Sequence, residues 1–195
     1  MTDLAERRGM ETEVYQPAED SALLLDAALD LVDTDDLVLE VGTGSGFVAV
    51  KLATETGATV LGSDVNPHAC RAARDRGVNV VRADLVSPFS AGVFDVVVFN
   101  PPYLPADDRA ARDDWMEEAL TGGESGRAVI EPFIDAVRRV LAPDGTVLLL
   151  VSTLSDIGAV EERAIREGFR VETVASEAFP FETIEVLALE PSDRE

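Results

Sequence analysis

The sequence predicts an α/β fold with a mostly parallel sheet, on three observations. Short apolar runs alternate with amphipathic stretches along the chain, the pattern of successive βαβ units. The run Phe94 to Phe99 carries Val96, Val97 and Val98 without interruption, which calls for burial on both faces, as in a parallel sheet covered by helices. A glycine turn, Gly42-Thr43-Gly44-Ser45-Gly46, joins an apolar run to a helical pattern.

The elements follow in order. A first helix comes after Pro17 and Glu19, with Leu23, Leu24, Leu25, Ala28, Leu29 and Val32 at helical spacing, and the first strand is Leu37 to Val41. The glycine turn leads into a helix from Phe47 to Thr56, and a second strand, Thr59 to Ser63, ends at Asp64. Asn66-Pro67 starts the next helix, with His68 in its first turn. Val78 to Arg82 is a third strand that ends at Asp84, and Phe94 to Phe99 is a fourth that delivers Asn100. A helix is expected over Ala128 to Leu141, then a turn at Pro143-Asp144-Gly145 into a strand, Thr146 to Val151. The last helix is Ile157 to Glu167. Phe169 to Ala175 and Thr183 to Leu189 read as an antiparallel pair joined by a turn at Ala178 to Phe181, which departs from a dinucleotide-binding Rossmann domain. The polar stretch Leu104 to Glu124 far exceeds the roughly 2 to 6 residues usual for such connections, which suggests a substrate-binding lid, with a disordered surface loop as the alternative. Its Trp115, beside Met116, favours an ordered or partner-contacting segment.

At 195 residues, one domain is expected, 1–195, with a short leader (1–14), an N-terminal segment and helix (15–35) and the core (36–195). The chain has 38 acidic against 16 basic residues, a net charge of −22, and Lys51 as its one lysine. Such a surface repels phosphate backbones, so direct binding of nucleic acid is not expected. It also suits a halophilic setting, where molar salt shortens the Debye length to about 3 Å and screens self-repulsion. A single cysteine, Cys70, excludes an internal disulfide, and a single histidine, His68, gives no support to a metal site or a Ser-His-Asp triad. The charged stretch Met1 to Glu13 has no apolar signal core, and no window offers about 18 uninterrupted apolar residues, so the expected location is cytoplasmic, away from membranes.

Ligands of open parallel sheets bind at the carboxyl ends of the strands, and three carboxylates occupy such ends here. The glycines are spaced G-x-G-x-G, and Phe47 stands where a dinucleotide fingerprint has its third glycine. Glu40, ahead of the glycines, suits a cationic amino-acid ligand, and Asp64 can accept both hydroxyls of a ribose. Asp84 can accept from an adenine amino group while the Leu85 backbone N–H donates to a ring nitrogen. Alone, each carboxylate reads as a cap or a solvated loop residue; together they suit S-adenosylmethionine.

Asn100-Pro101-Pro102-Tyr103 follows the buried strand directly, and the prolines stiffen the backbone and remove competing donors. An amide or amino nitrogen is a weak nucleophile because its lone pair is delocalised. The Asn100 side-chain oxygen and the Pro101 carbonyl can accept both of its N–H groups, and Tyr103 can stack on the planar group. Positioning then supplies much of the rate, with reacting atoms about 3 to 3.5 Å apart.

On these motifs the chain resembles the HemK-like N5-glutamine methyltransferases, in particular their short archaeal and eukaryotic form that modifies the class I translation release factor. Tyr15-Gln16-Pro17-Ala18-Glu19-Asp20-Ser21 is similar to that group's Tyr-x-Pro-Ala-Glu-Asp-Ser/Thr segment, and Gly122-Gly123 with Gly126-Arg127 to the segment after its substrate loop. The resemblance implies a Rossmann-like class I S-adenosylmethionine methyltransferase, with a seven-stranded, mostly parallel sheet and an antiparallel C-terminal strand. It implies cofactor contacts from Ser21, Glu40, Gly42, Asp64, Asp84 and Asn100, to which the spacing adds Gly44, Gly46 and Leu85. Asn100, Pro101 and Tyr103 are the implied catalytic group, with Pro102 in the substrate-binding set. The implied substrate is the glutamine of a Gly-Gly-Gln loop. The implied partner is a small activator protein, zinc-binding in eukaryotic members, forming a heterodimer at the sheet edge, with Val78 to Arg82 the first candidate. The longer bacterial relatives carry an N-terminal helical domain that grasps the release factor, so the grip is expected to come from elsewhere.

Three other readings compete. An N6-adenine methyltransferase on DNA or RNA could use the same Asn-Pro-Pro-Tyr geometry, with base flipping, but the charge of −22 opposes it. A non-catalytic nucleotide-binding subunit would have no need of Asn100 and Tyr103. An NAD-dependent oxidoreductase lacks the third glycine and a placed histidine.

Overall fold

The computed structural model describes residue 14 and residues 19–104 and 122–192. Tyr15 to Ala18 of the N-terminal motif, and Trp115 and Met116 of the long loop, lie outside the described residues.

The strands are β1 (Leu37–Val41), β2 (Thr59–Asp64), β3 (Asn79–Arg82), β4 (Phe94–Phe99), β5 (Leu141–Ser152), β6 (Phe169–Ala178) and β7 (Thr183–Pro191). The described helices are α1 (Glu19–Leu29), α2 (Phe47–Thr56), α3 (Pro67–Asp75), α4 (Ile130–Val137) and α5 (Ile157–Arg166), with a 3-10 turn at Thr153–Ser155. They form a seven-stranded sheet in the order β3-β2-β1-β4-β5-β7-β6. Pairing is parallel from β3 through β5, and β7 runs antiparallel to both β5 and β6. The expected mixed sheet, with its one reversed strand near the C-terminus, is therefore present.

Strand periodicity divides the core into two layers. Val96 and Val98 face one way, packed with Val38, Leu148 and Leu150 against Leu24, Ala28, Leu52 and Ala73 of α1 to α3. Val97 and Phe99 face the other, with Leu39, Val147 and Leu149, against Phe133 and Ile134 of α4 and Val160 of α5. The Phe99 and Phe133 rings meet at 4.6 Å between centroids. Burial on both faces of β4, inferred from its valine run, is what the molecule has.

Three elements depart from their expected bounds. The helix expected over Ala128 to Leu141 is confined to Ile130–Val137. The Arg139 and Val140 carbonyls instead accept the N–H groups of Gly92, Val93 and Phe94, so the chain leaves the helix to serve β4. Leu141 already pairs with Phe94, and the next pair is Thr146 with Val96, so Pro143-Asp144-Gly145 bulges out within β5. β6 also extends three residues past Ala175, with a register shift between Thr173 and Ala175.

Candidate active site

The carboxyl ends of β1, β2 and β4, with the start of α1, enclose a cleft of about 350 Å³, within the range of small-molecule sites. Its walls include Ser21, Glu40, Gly42, Gly44, Asp64, Asp84, Leu85, Asn100, Pro101, Pro102 and Tyr103. Gly46 is the one residue of the expected set outside the lining. It has φ +79, and a Cβ there would lie 3.0 Å from both the Ala73 Cα and the Val78 side chain. Gly46 therefore lets α3 close on the turn and does not itself face the cleft.

Glu40 lies on the α2 side of β1, because it alternates with Leu39 and Val41 of the opposite layer. One oxygen, Oε2, accepts the Thr43 hydroxyl at 2.5 Å and the Ala49 N–H at 3.0 Å. Burial pushes its carboxyl up to about 8 against these two hydrogen bonds, and the Asp64 charge adds to the rise. A cation in the cleft would relieve that desolvation, which is the chemistry a donor's ammonium group offers.

Asp64 is committed to the backbone: Oδ2 accepts from Gly44 N–H and Oδ1 from Asn66 N–H, each at 2.9 Å. These bonds clamp the glycine turn to the start of α3. Both oxygens belong to a side chain that lines the cleft at the end of β2. Asn66 caps α3 by accepting from His68 N–H, and the Cys70 thiol is a buried donor to the Asp64 carbonyl at 3.4 Å. Leu85 has φ +49, in a region uncommon for a residue with a Cβ, and Asp84 beside it is exposed. The Ser63 hydroxyl, on the cleft wall at the end of β2, is the one buried side-chain polar atom without a partner among the described residues.

The Asn100-Pro101-Pro102-Tyr103 motif is held from α1. Phe99 belongs to the α4 face, so Asn100 turns to the opposite one, where α1 begins. There Asn100 Nδ2 donates to Asp20 Oδ2 at 3.1 Å, and Asp20 Oδ1 accepts from Ser21 N–H at 2.6 Å. Asp20 is only 5% exposed. Sequence reasoning missed it because an acidic residue in a first helical turn is adequately explained by the helix dipole. The available signal was its place in the quoted Pro-Ala-Glu-Asp-Ser segment.

Tyr103 is half-buried; burial, then the Asp20 and Glu182 carboxylates, push its phenol above the ordinary value, so it stays protonated. Its backbone is pinned too. A Cβ on Gly126 would come within 2.6 Å of the Tyr103 carbonyl oxygen, and Gly122 N–H donates to the Leu104 carbonyl at 2.8 Å. Arg127, 28 positions before Ser155, donates to its carbonyl at 3.0 Å. The Gly122-Gly123 and Gly126-Arg127 segment thus buttresses the motif from below.

One cleft thus brings the buried Glu40 carboxyl, Asp64 and the glycine turn together with Asn100, Pro101, Pro102 and Tyr103. Known proteins resemble the chain in sequence and fold. A methyltransferase domain model matches residues 38–121. A Methanocaldococcus jannaschii protein named as a protein N5-glutamine methyltransferase is 34% identical, over 91% of this chain and 92% of its own. The human methyltransferase HEMK2 is 34% identical, over 92% of this chain and 91% of its own. A chain of the solved E. cuniculi Mtq2–Trm112 complex, responsible for methylation of the termination factor eRF1, superposes with a TM-score of 0.77 at 32% identity, covering 93% of this chain and all (100%) of that one. The chain accordingly belongs to the HemK2-type protein N5-glutamine methyltransferases, enzymes whose methyl donor is S-adenosylmethionine.

Proposed function

We propose that this chain methylates the side-chain amide nitrogen of the glutamine in the Gly-Gly-Gln loop of a class I translation release factor. The observation that carries the reading is the Asn100–Asp20 hydrogen bond. A carboxylate only accepts, so Asp20 engages the Asn100 NH₂ and leaves its carbonyl oxygen for an incoming amide. The methyl donor, when bound, supplies a sulfonium methyl group.

The residues do the rest. The Asn100 side-chain oxygen and the Pro101 carbonyl accept the two N–H groups of the target and so orient its nitrogen. The bound donor would supply the methyl group, its carbon–sulfur bond breaking with the electron pair on sulfur as the new nitrogen–carbon bond formed, and the nitrogen would release one proton to solvent. Neutral Tyr103 packs against the amide plane and keeps water from that face. Glu40, Asp64, Asp84 and Leu85 bind the amino-acid, ribose and adenine parts of the donor.

A small activator protein completes the enzyme in this reading, by analogy with the Trm112 of the E. cuniculi complex. It docks on β3, which is a free edge of the sheet among the described residues. The charge of −22 supports a cytoplasm rich in salt as the working environment.

The test is methyl transfer from labelled S-adenosylmethionine to a purified archaeal release factor in molar KCl, with and without the small partner. Label on the Gly-Gly-Gln glutamine, lost in Asn100→Ala, is the expected result. Label on nucleic acid alone would move the assignment to adenine.

A further inference from the structure

Seven of the eight phenylalanines are at least partly buried, whereas Phe181 is 94% exposed. It forms, with Pro180, the two-residue tip of the β6–β7 hairpin, closed by Phe179 N–H donating to the Glu182 carbonyl at 2.8 Å. A tip of this kind needs no aromatic side chain, and a ring held in solvent is apolar area that a docking protein can bury.

Topology puts the tip beside the cleft. Because β7 is reversed, its start pairs with the end of β5, Ile184 opposite Ser152, on the carboxyl edge where Asn100 emerges. The tip is also fixed there. Glu182 accepts the Ser152 hydroxyl at 2.6 Å, and Thr183 N–H donates to the Thr153 hydroxyl at 3.1 Å. The next residue, Leu154, is 40% exposed, and Leu104, after the catalytic motif, is 36% exposed. Gly126 bridges them, packed between the Tyr103 carbonyl and Ser155. A continuous rim thus runs from Tyr103 to Phe181.

We propose that Phe181, with Leu154 and Leu104, is the anchor by which this enzyme grips its folded protein substrate. The proposal rests on the release-factor reading above. A glutamine side chain reaches about 5 Å from Cα to its nitrogen, four bonds of roughly 1.5 Å, so the substrate backbone must descend onto the cleft mouth. A standard interface covers about 800 Å² per partner, a disc of about 16 Å radius. β7 stands two strand spacings, about 10 Å, from β4, so the hairpin falls inside the footprint of any protein whose glutamine is in place. The matching surface on the substrate is an apolar hollow beside its Gly-Gly-Gln loop. A tip already tethered at Glu182 and Thr183 loses little freedom on docking.

The experiment compares the full-length chain, with its small partner where required, against Phe181→Ala, a change that removes no packing contact of the fold. Binding of intact release factor is measured by calorimetry, beside steady-state methylation of that factor and of a short Gly-Gly-Gln peptide. The variant is expected to weaken Kd and raise KM for the intact factor about 10- to 100-fold, the range of an aromatic hot spot. Turnover of the peptide, S-adenosylmethionine affinity and partner binding stay unchanged, and Phe181→Trp restores the grip. An unchanged Kd for the intact factor overturns the proposal, as does a loss confined to binding of the small partner or one shared by the peptide. If the unmodified enzyme binds the factor but leaves its glutamine unlabelled, the release-factor reading fails while the Kd comparison still decides the anchor. If it binds none, both fall.

Discussion

Asn100 and Asp20, 80 positions apart, meet at 3.1 Å, and the bond commits the NH₂ end of the Asn100 amide to Asp20. Replacing Asp20 by Asn keeps size and the cap on Ser21 but supplies an NH₂ that can donate to the Asn100 oxygen, inverting the amide. A hydrogen bond to a charged group contributes about 1.5 to 3 kcal/mol, so kcat at saturating donor and substrate should fall about 10- to 100-fold. A kcat within twofold of the unmodified enzyme would remove Asp20 from any orienting role.

Glu40 makes the unliganded protein pH-sensitive. Its carboxyl titrates at about 8 in the fold against 4.5 as the ordinary value. Below the lower value both states are protonated and no penalty exists. As pH rises toward 8 the unfolded chain releases a proton that the native state keeps, so stability falls through that window. Urea midpoints at pH 5 and pH 8 should differ more for the natural protein than for Glu40→Gln, in which this contribution is absent.

The same carboxyl couples donor binding to proton release. Between about pH 5.5 and 7.5 the donor's amine is cationic while Glu40 in the empty cleft is protonated. Binding that favours the anion should tighten with rising pH, by up to about tenfold per unit. Calorimetry in buffers of different ionisation enthalpy reads the released proton directly, and Glu40→Gln should flatten the slope. A slope unaltered by that substitution would assign the proton elsewhere.

Gly46 and Gly42 should separate stability from binding. With φ +79 and a Cβ 3.0 Å from Ala73 and Val78, Gly46→Ala strains the backbone and pries α3 off the turn. The expected cost is about 1 to 3 kcal/mol in denaturant unfolding, with kcat at saturating donor near its natural value. Gly42 faces the cleft, and a Cβ would approach the Phe99 ring at 3.2 Å, so Gly42→Ala should weaken donor affinity as well.

The parts of this site legible in the sequence are those carried by neighbours in the chain. The valine run of β4 implies two-sided burial, which implies a parallel sheet, which places Glu40, Asp64 and Asn100 at strand ends. Three features depend on contacts across long separations that no local pattern records. The Asp20–Asn100 bond requires knowing which layer α1 occupies. The early end of α4 is set by carbonyls that β4 claims. Gly46 looks like its neighbours in spacing, and only the approach of α3 gives it a different task.

Salt should stabilise the fold, and magnitudes decide the sign. Screening weakens the exposed pairs, such as Lys51–Glu55 at 3.5 Å and Arg163–Asp135 at 2.5 Å, but exposed pairs of this kind contribute little to begin with. It also weakens mutual repulsion among carboxylates that outnumber the cations by 22. With the Debye length shrinking from about 10 Å at 0.1 M to 3 Å at 1 M, relief of that repulsion outweighs the lost pairs. The urea midpoint should climb steeply between 0.1 and 1 M KCl and then level off, equally in NaCl. A midpoint that keeps rising in proportion to salt, and more in sulfate than chloride, would instead point to salt exclusion from the surface.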